Sequence, residues 1–482
     1  MTNNTVRLLG WVITLSGAFA LYFPRFSTEG ISYDGTTYAC IARNMALGQG
    51  SFWQPIYTKQ ESYWNGEAQH DVFYGHPPLF FGIQSYFFKL LGDHWYIESL
   101  YGIVVMVLLM WLVALLWGQL QPSLVPFDWL PVGMLFTFPN VRWAITNNIL
   151  EPTVALFGLC CVWCFFHSKS NLLKYSCMVL GIWGAILVKG PIGLFALAIP
   201  FCHSVVFSQT IKPAIVPTLY LALGVLIGGL GMWLYQPAHD FWQHYFDWQI
   251  SYSLLNNQNQ LNTNKMTIGR LYIVLGLLFN FLFVLFGFAV GVIVLKIQKL
   301  PIQVHFSKAS QFMIVLGLSA SLPIMISPKQ EFYYLVPSLP FFALGLAEPL
   351  VHYLLVLLSK VSYNTLKTKQ IVVVFVLVGI LTGVILKKIK FTGKHPEQQA
   401  HIQEFRETPL PEATLIGTLN RATLYNPYLN LYLQRYHRIT LTPDTTSTSW
   451  LIVSRGDFQR LSLPKTPYQE VFRTQSWVLL KK

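Results

Sequence analysis

Charged residues are scarce in this chain of 482 residues. Asp, Glu, Lys and Arg together make up 11% of it, whereas they form about a quarter of an ordinary globular domain. Hydrophobic residues reach 53%, and the mean hydropathy is +0.46. Apolar runs of roughly 17 to 25 residues, the length that crosses a bilayer, recur between residues 8 and 387. This composition excludes a water-soluble globular protein and predicts that most of the chain is embedded in lipid.

Cysteines are also few, and they predict no disulfide framework. The six of them fall mostly inside apolar runs, where a free thiol packs as a small hydrophobic group. Cys161 and Cys164 have the spacing of a redox or zinc pair, but residues 157–164 contain no histidine or acidic partner. A metal site needs a complete set of ligands, so we interpret this pair as a packing feature.

A signal-peptide cleavage site is missing after the first apolar run, residues 8–23, which is therefore predicted to stay as an uncleaved first helix. The formal net charge of +13 could indicate a nucleic-acid partner, but lysines such as Lys169, Lys296 and Lys360 cluster beside the apolar runs. Such lysines orient a membrane protein. We therefore predict membrane lipids, and no nucleic acid, as the surroundings of these charges.

The lysine distribution predicts a multi-pass protein of the inner (plasma) membrane with a cytoplasmic N-terminus. About eleven transmembrane helices are predicted, at approximately residues 8–23, 99–118, 127–141, 149–167, 174–190, 191–208, 213–234, 268–295, 310–326, 332–350 and 370–387. The odd count places the C-terminus outside, in the periplasm or its equivalent. Lys387, Lys388 and Lys390 follow the last span on that side, which leaves an error of one span open.

Two domains are predicted, a transmembrane domain over residues 1–390 and a small soluble α/β domain over residues 391–482 on the outer side. Apolar patterns in the second domain predict a helix at 428–436 and strands at 413–419, 439–441 and 450–453. The function of this domain cannot be inferred from its sequence.

Two long outer loops interrupt the transmembrane domain, besides short outer segments at 142–148 and 327–331. The first, residues 24–98, contains two segments with a helical apolar face, 37–47 and 78–91, which we interpret as juxtamembrane helices lying along the membrane. The second, residues 235–267, is rich in Asn and Gln, a composition that suits either a lid over substrate or plain disorder.

Ionisable residues that could do chemistry collect on the predicted outer side. They are Asp34, Glu67, His70, Asp71, His76, Arg142, Glu151, Lys189, His239, Asp240, His244 and Lys329. We expect them to converge, and ionisable groups in such a chain point to function. Plainer interpretations stay open. Glu151 could complement a helix N-terminus. Lys189 and Lys329 could be snorkelling helix ends, and the loop pair of His70 and Asp71 could be solvated.

Five short segments occur in a fixed order between residues 34 and 340. They are Asp-Gly-Thr-Thr-Tyr-Ala-Cys-Ile-Ala-Arg-Asn-Met (34–45), Gly-His-Pro-Pro-Leu-Phe-Phe (75–81), Asn-Ile-Leu-Glu-Pro (148–152), Leu-Val-Lys-Gly-Pro-Ile-Gly-Leu (187–194) and Pro-Lys-Gln-Glu-Phe-Tyr-Tyr-Leu-Val-Pro-Ser-Leu-Pro (328–340). As an ordered set they resemble the polytopic glycosyltransferases of the protein O-mannosyltransferase and lipid A aminoarabinose transferase type, which have the GT-C fold.

The resemblance implies an all-α GT-C membrane domain. It also implies that the transfer inverts the anomeric configuration of the sugar. The donor would be a sugar on a polyprenyl monophosphate, a lipid-linked co-substrate, and the acceptor a lipid, polysaccharide or protein on the outer face. Asp34 matches the catalytic aspartate, which orients or deprotonates the acceptor hydroxyl. Lys189 and Lys329 match basic positions near the donor phosphate. His76 and Arg142 are further candidates for binding that phosphate.

Other polar residues leave a divalent metal open. Glu151 corresponds to an acidic position of the family, and His70, Asp71 and His244 could join it in binding substrate or metal, although no compact ligand motif is present. The chain also departs from its relatives, because Gly35 stands where many have Glu. In the aminoarabinose branch, Glu-Lys precedes the two prolines where this chain has Gly75 and His76.

Two alternative functions stay open. A lipid or sugar transporter or flippase would also have many spans and intramembrane charges, but transporters place charges near the midplane and contain internal repeats. Here the charges lie at predicted span ends, and no repeat is visible in the sequence. A catalytically dead scaffold with the same fold would be favoured if Asp34 could not work without a second carboxylate beside it.

Overall fold

A computed structural model describes residues 3–251, 269–359 and 415–482, apart from 59–61, 65–66, 70–71, 302–303, 328–329, 425 and 461–466, together with residues 379, 383, 404, 405 and 410. The chain divides into two compact units. The first consists of Met1–Pro24, Gly75–Pro77 and Gly102–Ile389, and the second of Arg25–Tyr74, Pro78–Tyr101 and Lys390–Lys482. The domain boundary predicted at residues 390 and 391 stays a prediction.

Helices dominate the described residues. In chain order they are α1 (Asn3–Phe26), α2 (Tyr33–Ala46), α3 (Leu79–Leu91), α4 (Ile97–Leu120), α5 (Trp129–Thr137), α6 (Pro139–Thr146), α7 (Glu151–His167), α8 (Asn171–Lys189), α9 (Ile199–His203), α10 (Lys212–Leu234), α11 (Gln236–Tyr245), α12 (Tyr272–Ile297), α13 (Lys308–Ser321), α14 (Leu339–Leu358), α15 (Arg421–Leu424), α16 (Pro427–Tyr432) and α17 (Arg455–Arg460). Short 3-10 helices cover Pro122–Phe127, Gly190–Ala198, Gly269–Leu271, Leu322–Ile326 and Phe332–Ser338, and π-helical turns cover Ser204–Ser208, Phe246–Ser251 and Leu433–His437.

Seven helical segments of the described chain are long and apolar enough to cross a membrane, or up to eight if the bent pair α6 and α7 forms one span. The seven are Asn4–Phe26, Ile97–Leu120, Asn171–Ser208, Lys212–Leu234, Tyr272–Ile297, Lys308–Ile326 and Phe332–Leu358. All of them fall where spans are predicted from the sequence, and Asn171–Ser208 contains two of those predictions. Of the predicted span at 370–387, only residues 379 and 383 are among the described residues.

The prediction of one continuous span over residues 127–141 is wrong. The chain there forms the short helix α5 and then α6. Phe138 between them is extended, with φ −64° and ψ 120°, because a following proline, Pro139, disfavours the helical conformation of the residue before it. Helix α6 meets α7 at a bend of 113°. The bend passes through Asn148, whose φ of +57° is one that asparagine tolerates better than most residues.

A turn at Gly190 breaks the long apolar stretch Asn171–Ser208. Gly190 has φ +66°, a conformation that favours glycine, and Pro191 cannot continue the hydrogen bonding of α8. A side chain at Gly193 would clash with the backbone of Ala185 and Ile186. The chain after Lys189 therefore folds back along the last turns of α8.

In the second unit, α2 packs against α3, with the ring of Tyr38 6.0 Å from Phe80 and 5.7 Å from Phe81. Both helices are confirmed at the predicted places, although α2 starts four residues before the predicted 37–47. Residues 35–44 are all buried, so α2 is a core helix rather than a half-exposed surface helix. A small antiparallel hairpin, β1 (Ser62–Trp64) and β2 (Glu67–Gln69), lies between them in sequence.

The C-terminal part of the second unit contains a five-stranded sheet in the order β4-β3-β5-β7-β6. Its strands are β3 (Leu415–Gly417), β4 (Thr440–Thr442), β5 (Trp450–Ser454), β6 (Gln469–Arg473) and β7 (Trp477–Lys481). Strand β3 is parallel to β4 and β5, whereas β5, β7 and β6 are antiparallel. The three predicted strands are confirmed. Strands β6 and β7 are not in the sequence prediction, because the exposed β6 and the continuously buried β7 lack a regular alternation.

A buried arginine pair joins α2 to the C-terminal residues within this unit. Arg43 of α2 donates to the carbonyl oxygens of Gln434 at 2.7 Å and Arg435 at 3.0 Å. The guanidinium of Arg435 in turn pairs with Glu98 at 3.0 Å and with Asp93 at 2.9 Å. Because residues 25–74 and the C-terminal sheet share one packed unit, they must lie on the same side of any membrane that the chain crosses.

Candidate functional site

Asp34 lies in the first turn of α2, which the sequence prediction places outside the helix. The Oγ of Ser32 caps the helix by accepting a hydrogen bond from the amide of Gly35 at 3.3 Å, and the hydroxyl of Thr36 donates to the Ser32 carbonyl at 2.9 Å. A carboxylate in this position is stabilised by the positive end of the helix dipole. Asp34 is half-buried, so part of its surface is accessible from outside the protein.

Tyr33 gives Asp34 a protonated hydroxyl as its neighbour in the chain. Burial raises the pKa of Tyr33 above its ordinary value, and the nearby Tyr57 and the Asp34 carboxylate raise it further. The phenol therefore stays a hydrogen-bond donor at neutral pH.

Lys189 and Glu151 form a buried ion pair in the first unit. Lys189 is the last residue of α8 and Glu151 the first of α7. Only residues 168–170 join these helices, so the start of α7 lies beside the end of α8. The Nζ of Lys189 donates to Oε1 of Glu151, and the side chains are 4% and 0% exposed. Each charge also complements the dipole of its own helix.

This pairing argues against the snorkelling interpretation of Lys189 and leaves the helix-terminus interpretation of Glu151 in place. A snorkelling lysine keeps its ammonium group in water, whereas that of Lys189 is enclosed by protein. Glu151 does stand at a helix N-terminus, as the plainer interpretation expects, but it also binds the lysine. Two buried opposite charges at the ends of apolar helices need each other, because a lone buried charge is costly.

Aromatic rings enclose the ammonium group of Lys189. Its Nζ lies 4.4 Å from the ring centroid of Tyr334 and 5.3 Å from that of Tyr333, within the range of cation–π attraction. Trp143 of α6 stacks on Tyr333 at 5.2 Å and 22°. The side-chain amide of Asn140 donates to the carbonyl of Phe332 at 2.8 Å. Helix α6 thus fixes the 3-10 helix that carries both tyrosines.

The turn after Lys189 is closed by Tyr245 of α11. A Cβ on Gly190 would clash with the hydroxyl of Tyr245. Tyr245, the last residue of α11 in the predicted outer loop 235–267, therefore packs directly against Gly190. A larger residue at position 190 would both strain the backbone and displace Tyr245.

The other predicted site residues are more scattered. Arg142 is half-buried on α6, one residue before Trp143. His76 is half-buried in a bend before α3, within the first unit. His244 is exposed on α11, with its Nδ1 2.7 Å from the carbonyl oxygen of Asp240. His70, Asp71 and Lys329 lie outside the described residues, as do residues 252–267 of the second outer loop.

The structure brings together Lys189 and Glu151, and both lie in the first unit with Arg142, His76 and His244. Asp34 belongs to the second unit. Among the described residues, no group of three metal-ligating side chains includes Glu151 or His244. A divalent metal bound by those residues together with His70 and Asp71 stays a prediction.

Sequence reasoning missed the aromatic residues around Lys189. Tyr333 and Tyr334 are part of the last of the five family-like segments, but neither the segment nor its spacing shows that their rings face a lysine more than 140 positions away. Trp143 carried no signal beyond standing next to Arg142. The run of three aromatic residues at 332–334, in a segment that also contains Lys329, is the one feature that could have indicated a cation–π site.

Comparison with known proteins gives matches among solved structures only. No protein-family model matches the sequence, and no curated protein matches it either. The chain is similar to the crystal structure of ArnT from Cupriavidus metallidurans bound to undecaprenyl phosphate, with a TM-score of 0.63 and 15% identity over 97% of both chains. It is also similar to the apo state of that protein, with a TM-score of 0.58 and 14% identity over 97% of this chain and 96% of the other.

The similarity covers nearly the whole length of both proteins at low sequence identity. It therefore identifies a fold, and it agrees with the apolar helices that are long enough to span a membrane. The small five-stranded sheet accompanies these helices in the same chain. The chain is a multi-pass membrane protein with the GT-C fold.

Proposed function

We propose that the chain is a membrane glycosyltransferase that moves one sugar from a polyprenyl monophosphate to an acceptor on the outer face of the membrane. The acceptor is a lipid, a polysaccharide or a protein. The observation that carries the proposal is the buried, aromatic-lined ammonium group of Lys189, in a chain whose fold matches a protein crystallised with undecaprenyl phosphate. An ammonium held in that way is suited to an anionic lipid headgroup.

The proposed reaction needs few protein groups. The acceptor hydroxyl attacks the anomeric carbon of the sugar, the bond from that carbon to the phosphate oxygen breaks, and the polyprenyl phosphate leaves with the bonding electron pair. Attack from the face opposite the leaving group inverts the anomeric centre. Asp34 orients the acceptor hydroxyl and takes its proton as general base, for which its half-buried, helix-capped position is suited.

Lys189 is proposed to stabilise the negative charge that builds up on the leaving phosphate. An ammonium group already fixed by Glu151 and the two tyrosines needs little reorganisation when that charge develops. Its three N–H donors allow it to keep the carboxylate and still bind a phosphate oxygen. Lys329, Arg142 and His76 are proposed to add positive charge around the same phosphate, and Glu151, His70, Asp71 and His244 to contact the substrate or a divalent metal.

The transporter or flippase alternative predicts a different experiment. A transporter would bind the lipid phosphate and release it unchanged, whereas a transferase releases free polyprenyl phosphate and an acceptor that has gained one sugar. Purified full-length protein should be incubated with a panel of synthetic polyprenyl phosphosugars and with extracted envelope lipids, glycans and proteins. Mass spectrometry then follows both products. Free polyprenyl phosphate formed only in the presence of an acceptor supports the proposal.

The acceptor can be found in cells in the same way. A deletion strain should lack one sugar on a surface lipid, glycan or protein, and the gene should restore it. Donor that is bound and exchanged across vesicles without cleavage, together with an unchanged envelope in the deletion strain, would contradict the transferase proposal and support transport.

A further inference from the structure

Two histidines and a buried glutamate meet in the first unit, apart from the residues discussed above. The Nδ1 atom of His305 lies 3.3 Å from Oε1 of Glu348, and the Nε2 atom of His352 lies 3.7 Å from the same oxygen. The three ligand atoms all lie within 4.8 Å of one another. Within the part of the chain that the structure describes, these are the three His, Cys, Asp or Glu side chains that lie close enough together to share one metal ion.

Helix α14 and the segment before α13 build this cluster. Glu348 and His352 are four residues apart on α14, a spacing that puts them on one face of the helix. His305 comes from the chain just before α13. The other oxygen of Glu348, Oε2, accepts hydrogen bonds from the amide and the hydroxyl of Ser307, both at 2.8 Å. These bonds fix the carboxylate and leave Oε1 directed at the two imidazole rings.

One atom of the cluster has no hydrogen bond that would account for its burial. The Nε2 of His352 is buried and has no hydrogen-bond partner among the described residues. A buried polar atom without a partner is costly, and a bound ion is one established reason for such an atom. The side chain of Glu348 is 3% exposed while that of His305 is 65% exposed, so the cluster is anchored in protein and open to solvent on one side.

The two distances from Oε1 of Glu348 fit a small tetrahedral ion. With bonds of about 2.0–2.2 Å to nitrogen and oxygen, neighbouring ligand atoms of a tetrahedral zinc site stand about 3.3–3.6 Å apart. The separations of 3.3 Å and 3.7 Å from Oε1 are close to that spacing. Two imidazole nitrogens and one carboxylate oxygen suit Zn²⁺ and similar divalent transition metals, whereas Mg²⁺ and Ca²⁺ prefer oxygen ligands alone.

We propose that His305, Glu348 and His352 bind a divalent transition metal ion, with Zn²⁺ as the first candidate and water as the fourth ligand. The ion would link the segment before α13 to α14.

The cluster lies at the end of the first unit where α1 begins. Ser307 accepts from the side-chain amide of Gln121 at 2.7 Å, and Asp128, just beyond the 3-10 helix that follows Gln121, pairs with Arg7 of α1 at 2.6 Å. The predicted orientation makes this the cytoplasmic end. The site is thus a structural or regulatory site separate from the proposed transfer reaction.

The test is a metal titration of full-length protein in detergent, after removal of any purification tag and dialysis against a chelator. Isothermal titration with ZnCl₂ should show saturable binding of one ion per chain, and Co²⁺ should give the visible absorption of a tetrahedral complex. Mg²⁺ at the same concentrations should not compete. Thermal unfolding should shift upward with Zn²⁺, because a ligand that binds the folded state stabilises it.

Three variants and one control connect the binding to these residues. His305→Gln, Glu348→Gln and His352→Gln should each weaken Zn²⁺ binding by at least about 100-fold, the upper range seen when even an outer-shell partner of a ligand is lost. His167→Gln, at an exposed histidine stacked on Trp163, is the matched control and should bind like wild type. His305 is exposed, so its variant tests the site without disturbing the core.

Zn²⁺ affinity that is unchanged in His305→Gln, or absent in the wild-type protein, would overturn the proposal. Either result would mean that the cluster is held by ion pairing of Glu348 with a protonated histidine and not by a metal. Equal binding of Mg²⁺ would overturn the assignment of the metal class. None of these outcomes depends on transfer activity, so the test is independent of the proposed function.

Discussion

Lys189 at the end of α8 and Glu151 at the start of α7 bury their opposite charges against each other. The pair changes what a substitution of the lysine means. Removing one partner of a buried ion pair costs about 3–5 kcal/mol because the other charge is left uncompensated. A loss of activity in Lys189→Gln alone could therefore reflect damage to the fold.

The double variant Lys189→Gln/Glu151→Gln separates the two effects. We expect Lys189→Gln alone to lower both thermal stability and transfer, and the double variant to regain much of the stability because neither charge remains. If Lys189 binds the donor phosphate, the double variant should stay impaired in transfer by on the order of 2–4 kcal/mol, as for loss of one charge-stabilising group. Wild-type transfer by a stable double variant would show that the pair only holds α7 and α8 together.

Arg435 should be the most sensitive position of the C-terminal segment. Its side chain is 2% exposed and pairs with the equally buried Glu98, so Arg435→Gln should destabilise the second unit by about 3–5 kcal/mol. Arg473→Gln, which removes an exposed partner of Glu470 on β6, is the matched control and should change little. The measurement is the midpoint of thermal unfolding together with protease resistance of the C-terminal sheet. Equal behaviour of the two variants would contradict a buried, essential pair.

Features of the fold that depend on neighbouring residues could be predicted from the sequence, whereas contacts between residues far apart in the chain could not. The helices of the first outer loop and three C-terminal strands follow from local apolar patterns. The family-like segment 34–45 identifies Asp34, but the true start of α2 at Tyr33 depends on the cap by Ser32. Contacts between distant residues leave no local pattern. Arg435 and Glu98 are 337 positions apart, and each is an ordinary charged residue in its own segment.

The same limit applies around Lys189. The motif at 187–194 predicts a basic residue at a span end. Its pairing with Glu151 depends on the antiparallel packing of α7 against α8, which brings the start of one helix beside the end of the other. The break at Gly190 has a local cause in Pro191 and coincides with the predicted boundary between the spans 174–190 and 191–208. The break at Phe138 also has a local cause, Pro139, but the apolar residues on both sides favoured the prediction of one continuous span.

The second unit makes the topology testable. Because it contains both Ser51 and Ser449, single cysteines at these exposed positions should react alike with a membrane-impermeant thiol reagent. We expect both to react in intact spheroplasts and Lys169→Cys to be protected. The native Cys40 should not interfere, because burial raises its pKa to about 11 and keeps it a thiol.

Opposite results at Ser51 and Ser449 would contradict a single second unit. Protection of both with labelling at Lys169→Cys would instead reverse the orientation predicted from the lysines. Either outcome is visible from the same three labelling reactions, after permeabilised cells have confirmed that each cysteine can react.

His437 should give the second unit a dependence on mildly acidic pH. Its ring packs 5.3 Å from that of Tyr432, and burial lowers its pKa below the ordinary value of 6.5. The unfolded chain therefore binds the proton more readily than the folded one. Stability should be fully present above about pH 6.5 and decline as the pH falls through the lower folded-state pKa. His437→Gln should reduce the difference between the unfolding midpoints at pH 7.5 and 5.5, and an unchanged difference would assign the dependence to other groups.

The most direct measurement is sugar transfer by Asp34→Asn compared with wild type. Asparagine keeps the shape of the side chain but cannot accept a proton, so we expect normal expression and folding with transfer reduced by about 10²-fold or more. Asp444→Asn, in an exposed turn that tolerates asparagine, is the matched control. Purified proteins should be assayed for release of polyprenyl phosphate and for the modified acceptor. Loss of both products in Asp34→Asn alone is the predicted result, whereas more than about a tenth of wild-type transfer in that variant would contradict the role of Asp34 as general base.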